Sequence, residues 1–92
     1  MKLLRITRSP NRLKKWRAEF DNGHHTDFGA TGYQDYTQHH DPVRRANYLQ
    51  RHQNDLRTGD PTAPGFLSYY VLWGDSPSMA ANIRAYKKRF NL

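Results

Sequence analysis

The sequence lacks cysteine altogether, which excludes disulfides, thiolate metal ligands and cysteine nucleophiles together. It also lacks long apolar runs: none approaches the roughly 18–20 residues that span a bilayer, so we expect no membrane insertion. The first six residues are too basic and too short to be a secretory signal. From these absences we expect an intracellular protein.

Carboxylates suited to catalysis are scarce. The chain has one glutamate, Glu19, and the pattern places it on the polar side of a strand. Asp41 is better explained as a helix cap, and Asp60 as turn chemistry before Pro61. An enzyme would need polar groups converging on one cleft, and the candidates are Asp27, Asp35, His40 and His52. We expect no catalytic residue and no small-molecule substrate.

The histidines do not have the spacing of a metal site. No two of the five stand four residues apart on one predicted helix, and neighbours on a strand point to opposite faces. They are His24, His25, His39, His40 and His52. We predict no metal site and no cofactor.

Acidic residues are absent from both ends of the chain. Residues 1–17 carry seven Lys or Arg and residues 84–92 carry four, whereas the middle holds four more and all eight acids. A merely solubilising surface usually mixes both signs. The net charge of +7 therefore favours a polyanionic partner, and the two ends would form one patch if they met in space.

The clusters at the two ends supply the predicted contacts to nucleic acid. Lysine and arginine bind phosphates with release of counterions and without reading the bases. The predicted residues are Arg5, Arg8, Arg12, Lys14, Lys15, Arg17, Arg84, Lys87, Lys88 and Arg89. They predict non-specific binding of nucleic acid, with DNA as the first expectation. The alternative is that the same charges dock on acidic capsid subunits.

The N-terminal part has the pattern of a β-meander. Residues 3–7 predict a strand, residues 15–20 alternate, and residues 24–28 predict the return strand after Asn22-Gly23, a strong hairpin signal. The apolar side of the middle strand carries Trp16, Ala18 and Phe20.

Helices are predicted in the rest of the chain. Asp41 as N-cap and Pro42 at the first position predict a helix over residues 43–52. Its inward stripe would be Val43, Ala46 and Leu49. Residues 57–65 predict a loop. Residues 66–73 fit a buried helix or strand, and Gly74 favours the helix.

The last helix has the clearest periodicity. Ser76 is the predicted cap and Pro77 the first residue, and the apolar positions are Met79, Ile83, Tyr86 and Phe90. Much of the core is predicted to consist of Trp16, Phe20, Phe28, Phe66, Leu72, Trp73, Met79, Ile83, Tyr86 and Phe90. We predict one α+β domain over residues 1–92, with an antiparallel meander of about three strands packed by about three C-terminal helices.

Two further motifs are explained by structure rather than chemistry. Gly29-Ala30-Thr31-Gly32 lacks the Lys-Ser/Thr of a phosphate loop, so it predicts a turn that lets the backbone pass close to another element. Tyr69, Tyr70 and Trp73 could stack bases, but within an apolar run they predict core.

Several segments together resemble a known family. They are Lys14-Lys15-Trp16-Arg17-Ala18, Thr26-Asp27-Phe28-Gly29-Ala30, Asp60-Pro61-Thr62, Gly65-Phe66-Leu67-Ser68 and Tyr86-Lys87-Lys88-Arg89-Phe90. In this order and spacing they resemble a small uncharacterised family of large DNA viruses of protists and algae and of some large phages. The resemblance implies a viral origin and a helix over residues 66–73. We therefore expect a viral accessory or virion protein in the cytoplasm or nucleus of an infected cell, or packaged in the virion, with a minor capsid or cement protein as the alternative.

Overall fold

The computed structural model describes all 92 residues, and its N-terminal part is a three-stranded antiparallel sheet. The strands are β1 (Leu3–Arg8), β2 (Lys14–Phe20) and β3 (His25–Ala30), in the order β1-β2-β3. Trp16 lies opposite Phe28 across the β2–β3 pair. The predicted meander is confirmed.

The alternating pattern of β2 decides which face of the sheet is buried. Ala18 and Phe20 are buried together with Phe28 of the neighbouring strand. The intervening residues carry charge and lie on the other face, where Arg17 is opposite Asp27. The hairpin between β2 and β3 turns at Gly23, whose φ of 86° suits a residue without a Cβ.

The rest of the chain is helical, which confirms the α+β class. The elements are α1 (Tyr36–His39), α2 (Pro42–Arg51), a 3₁₀ helix (Gln53–Thr58), α3 (Pro64–Leu67), a π-helical turn (Ser68–Leu72) and α4 (Met79–Phe90). Residues 66–73 are helical up to Leu72, as favoured. The loop predicted over residues 57–65 is shorter, because the 3₁₀ helix includes Thr58 and α3 begins at Pro64.

One predicted helix start is confirmed and the other is wrong. The Asp41 carboxylate accepts hydrogen bonds from the backbone N–H groups of Val43 (2.9 Å) and Arg44 (3.3 Å), as an N-cap should. The cap of α4 is Ser78 instead of Ser76. Ser76 stays outside the helix because its N–H and C=O both bond to the Asn82 side chain.

The predicted inward stripe of α2 is confirmed at Leu49 and wrong at Val43 and Ala46. Val43 is 68% exposed and Ala46 is exposed. The helix instead packs through Arg45, Tyr48 and Leu49, which are half-buried. Arginine and tyrosine bury their apolar bodies and hydrogen-bond with their polar tips, so a count of apolar residues misses this face.

The core lies between the inner sheet face and the C-terminal helices. Six of the predicted core residues are buried: Phe20, Phe28, Phe66, Leu72, Trp73 and Tyr86. The other four are partly buried and pack against the core: Trp16, Met79, Ile83 and Phe90. The predicted core residues did not include Leu3, Ala18, Leu67, Val71 and Leu92, although Ala18 was placed on the apolar side of its strand. As for membranes, each helix is too short or too polar to span one.

Gly29 allows the sheet to approach the π-helical turn closely. Its φ is 81°, and a Cβ there would lie 2.8 Å from Leu72 Cδ1. The positive φ favours glycine, and a Cβ would also have to displace the end of the Leu72 side chain. The predicted close approach is thus confirmed at Gly29, whereas a Cβ at Gly32 would have no neighbour within 4 Å.

Candidate nucleic-acid interface

Two adjoining depressions form a groove across one side of the molecule. The larger, of about 820 Å³, lies between the start of β2, the end of β3, α2 and α3. The smaller, of about 610 Å³, lies between the β1–β2 turn and the loop after β3. Their common wall includes Lys14, Lys15, Tyr33 and Asp35. We use the name basic groove for the surface formed by six of the lining residues: Arg8, Arg12, Lys14, Tyr33, Arg44 and Arg51.

The β1–β2 turn and the loop after β3 are tied together on one side of this groove. Asn11 Oδ1 accepts from the Leu13 N–H (3.0 Å), which shapes the turn. Thr31 Oγ1 donates to the Arg12 carbonyl (2.9 Å), and the Thr31 N–H donates to the Leu13 carbonyl (3.2 Å). These bonds hold the loop that carries Tyr33 beside the turn that carries Arg12.

Helix α2 forms the other side of the groove. Arg44, Asn47 and Arg51 stand at i, i+3 and i+7 on its exposed face and line the larger depression. The opposite face is held by Arg45, whose Nε donates to the carbonyls of Trp73 (3.1 Å) and Gly74 (2.8 Å). Arg45 thereby satisfies carbonyls at the end of the π-helical turn.

The cations of the basic groove are free of acidic partners. The salt bridges of the fold are Arg5–Glu19, Lys15–Asp35, Arg17–Asp27, Arg45–Asp75 and His52–Asp55. None of them involves a cation of the basic groove, namely Arg8, Arg12, Lys14, Arg44 or Arg51. Two carboxylates do lie in the walls. Asp35 is bonded to Lys15 (2.8 Å), and Asp55 is bonded to His52 Nδ1 (2.9 Å).

Three of the ten predicted contact residues are engaged within the fold. Arg5 bonds to Glu19 (2.7 Å) and Lys15 to Asp35. Arg17 binds both oxygens of Asp27, at 2.8 and 3.1 Å, and this lowers the pKa of the Asp27 carboxyl below its usual value. These three arginines and lysines have a carboxylate beside them, whereas Arg8, Arg12 and Lys14 remain available in the groove.

The other four predicted residues lie on the last helix. Arg84, Lys87, Lys88 and Arg89 are all exposed and line neither depression, and we call them the α4 basic face. Three of them stand in the last turn, where positive charge interacts favourably with the helix dipole. Arg89 also lies over the Tyr70 ring at 4.9 Å. The fold itself therefore gives part of this set a structural role.

Arg44 and Arg51 are the groove residues that the prediction missed. They were counted with the acidic middle of the chain, although the fold brings them beside Lys14. Their seven-residue spacing, with the polar Asn47 between them, indicates one exposed helical face. That spacing was the sequence signal for an exposed basic face on α2. Which other segment lies next to this face depends on the tertiary structure.

Of the aromatic residues predicted as core, Trp73 is buried, Tyr70 is half-buried against the core, and Tyr69 is half-buried outside the core cluster. Trp73 is buried and stacks on Tyr48, with centroids 4.1 Å apart and planes at 4°. Burial raises the pKa of Tyr48 to about 12, so its hydroxyl stays protonated. Tyr70 packs against Phe66 and Phe90. By contrast Tyr33 in the groove is 76% exposed.

The four residues proposed for an enzyme site do not share one cleft. Asp35 and His52 line the larger depression. Asp27 is on the outer face of the sheet with Arg17, and His40 Nε2 lies 3.1 Å from the Thr37 carbonyl. No group of three or more His, Cys, Asp or Glu comes together in the arrangement that a metal ion requires.

Comparison with known proteins gives a family without a function. No curated protein and no solved structure was found to be similar to the chain. One family model matches residues 4–52, slightly more than half of the sequence, and these residues include every member of the basic groove. The α4 basic face lies outside the match. The chain belongs to the family of unknown function DUF5754.

Proposed function

We propose that the protein binds nucleic acid without sequence preference, with the phosphates lying in the basic groove. The observation that carries the proposal is the convergence of Arg8, Arg12 and Lys14 with Arg44 and Arg51, five cations without acidic partners, on one concave surface. Concave clefts lined by one sign of charge focus the electrostatic potential and attract ligands of opposite sign.

The charge balance of the groove fits a polyanion better than a single small anion. Six Lys and Arg line the two depressions against two Asp, and both carboxylates are already bonded to neighbours. The cations are spread along both depressions instead of converging on one point, as a chain of phosphates requires. The longest dimension of the molecule, 37 Å, limits contact to roughly 10 nucleotides at 3.4 Å each.

The salt dependence of binding gives a quantitative test. If each of the five cations contacts one phosphate, the logarithm of the affinity should fall with the logarithm of salt concentration. The expected slope is about −3.5 for a single strand and about −4.5 for B-DNA. Fluorescence anisotropy of labelled oligonucleotides across a salt series measures this slope.

Two triple variants that remove the same charge locate the site. The groove triple is Lys14→Gln, Arg44→Gln and Arg51→Gln, and the α4 triple is Arg84→Gln, Lys87→Gln and Lys88→Gln. The groove triple should reduce the magnitude of the slope by about two to three, because three phosphate contacts are lost. The α4 triple should change it by less than about one, since it acts only through the overall field.

The other possible results of this experiment would assign binding to a different surface or overturn the proposal. A larger effect of the α4 triple would move the site to the last helix, and equal effects would mean diffuse binding to both surfaces. An absence of salt-dependent binding to DNA and RNA would overturn the proposal. The remaining candidate would then be the minor capsid or cement protein, which docks on acidic subunits. The viral setting, inside an infected cell or in the virion, likewise remains a proposal that rests on the resemblance.

A further inference from the structure

We propose, as an extension of the nucleic-acid function above, that the basic groove takes a single strand and that one of its bases stacks on Tyr33. The proposal depends on phosphate binding in the groove. It adds the kind of strand that binds and the side chain that selects it.

Tyr33 offers a free aromatic ring. It is 76% exposed, and the aromatic and cation–π pairs of the fold involve other rings. A single exposed aromatic residue is common on protein surfaces and indicates nothing alone. The informative feature is the set of charges around it.

The ring lies where the two depressions meet. Tyr33 lines both, with Arg8 and Arg12 in the smaller and Arg44 and Arg51 in the larger. A strand whose phosphates pass from one pair of arginines to the other crosses the common wall that Tyr33 shares with Lys14 and Lys15. Cations that hold the backbone on each side of an aromatic ring form the arrangement by which proteins bind single strands without reading sequence.

This arrangement selects against a duplex. In a double helix the bases are paired and stacked on one another, so their faces are not available to a side chain without unstacking. In a single strand each base can turn a face to the ring. The phosphate contacts alone do not discriminate, because both forms present phosphates to the arginines.

The other rings of the groove are already occupied. Tyr48 is stacked between Trp73 and His52, with centroid distances of 4.1 Å on both sides. His52 is further held by Asp55. Trp16 lines the smaller depression but is half-buried and packs against the core. Tyr33 is thus the exposed ring of the groove that can accept a base without displacing another contact.

An abasic strand separates stacking from charge. The probes are an oligothymidylate of about 12 nucleotides, a phosphodiester of the same length and charge without bases, and the duplex of the same length. Binding is measured by anisotropy, with the label at the same end of each. Wild type should bind the oligothymidylate about tenfold more tightly than the abasic strand. Tyr33→Ala should bind the two alike, with an unchanged salt slope, because no charge is removed.

Two variants serve as controls. Tyr33→Phe keeps the ring and should restore the preference for the strand with bases. Leu13→Ala shortens a side chain that is 73% exposed and lines neither depression, so it should behave as wild type. Circular dichroism establishes that each variant is folded.

The outcomes distinguish this inference from the proposed function. Equal affinity of wild type for the two single strands, with a steep salt slope, would overturn the stacking role and leave phosphate binding in place. Tighter binding to the duplex than to the oligothymidylate would also overturn it. If no probe binds in a salt-dependent way, the proposed function itself fails.

Discussion

The side-chain amide of Asn82 joins three parts of the C-terminal region. Its Nδ2 donates to the carbonyls of Val71 (2.9 Å) and Ser76 (2.7 Å), and its Oδ1 accepts from the Ser76 N–H (3.1 Å). The π-helical turn ends near Val71, where carbonyls lose their intrahelical donors. Because Asn82 is buried, its bonds replace those that water would make, and they fix the loop before α4.

His39 is a second residue whose environment determines its chemistry. Its Nδ1 accepts from the Asp41 N–H (2.9 Å), its ring packs on Trp73 at 5.2 Å, and its Nε2 is buried without a partner. Burial is the main cause that lowers the pKa of His39 below 6.5. The positive charges of Arg44 and His40 also lower it, and Asp41 and Asp35 act in the opposite direction.

This environment predicts a pH dependence of stability. Since the folded state disfavours protonated His39, the contribution of this residue is complete above pH 6.5 and is lost as the pH falls from there to the lowered pKa. The urea midpoint of wild type should therefore decrease over that range. His39→Asn keeps an acceptor for the Asp41 N–H and has no group that titrates there. Its stability should vary less over the same range.

His25→Asn is the matched control, because this imidazole is exposed. It should retain the pH dependence of wild type. If His39→Asn lost stability on acidification as steeply as wild type, another group would be responsible. Reduced stability of His39→Asn at all pH values is expected from the lost ring contacts and does not bear on the prediction.

At the scale of the elements, Lys15 of β2 links the sheet to α1. Lys15 Nζ donates to Asp35 Oδ2 (2.8 Å) and to Gln38 Oε1 (2.7 Å). Asp35 is buried and also caps α1 by accepting from the Thr37 N–H (3.0 Å) and the Thr37 hydroxyl. With only four residues, α1 has too few internal bonds to form without such support.

Removal of Asp35 should therefore be costly. Asp35→Ala should lower the free energy of unfolding by about 3 kcal/mol, because it leaves a nearly buried ammonium and an uncapped helix. Lys15→Met should cost less, since Asp35 keeps its bonds to Thr37. Chemical denaturation monitored by tryptophan fluorescence measures both.

The exposed pair Arg5–Glu19 provides the comparison. Its side chains are 57% and 37% exposed, so Glu19→Ala should cost less than about 1 kcal/mol. Should Asp35→Ala cost no more than Glu19→Ala, the pair would not be what holds α1 to the sheet.

These elements also show what could be predicted from the sequence. The strands could be predicted, because the alternation of residues in β2 and the Asn22-Gly23 turn are local signals. The inward face of α2 could not be predicted, because it packs through Arg45 and Tyr48, which are residue types classed as polar. The start of α4 was misplaced by two residues since Ser76 and Ser78 are equally good caps, and a buried Asn82 decides between them.

At the scale of the whole molecule, the sequence indicated the charge but not its arrangement. Arg8, Arg12 and Lys14 were predicted as contacts, and the fold places them in the groove. Lys15 and Arg17 were predicted with them, but Asp35 from beyond the sheet pairs with Lys15, and Asp27 on the neighbouring strand pairs with Arg17. A salt bridge between distant segments leaves no local pattern. Charge density along the chain therefore does not show which cations the fold leaves without an acidic partner.

The net charge of +7 on 92 residues links stability to binding. Like charges repel in the compact state, most strongly at low salt, and a bound polyanion relieves this repulsion. A ligand that binds only the folded state stabilises it by about 2.7 kcal/mol at 100 times its dissociation constant. Saturating oligothymidylate at low salt should therefore raise the Tm by roughly 15 °C, as followed by tryptophan fluorescence.

The two triple variants make this last prediction specific to the groove. Each removes three positive charges, so each relieves the same amount of net charge before any ligand is added. The groove triple should lose most of the oligothymidylate-induced rise in Tm, because the ligand then binds weakly. The α4 triple should keep most of it. An equal rise in both variants would show that stabilisation comes from the overall field, and the groove would not be a binding site.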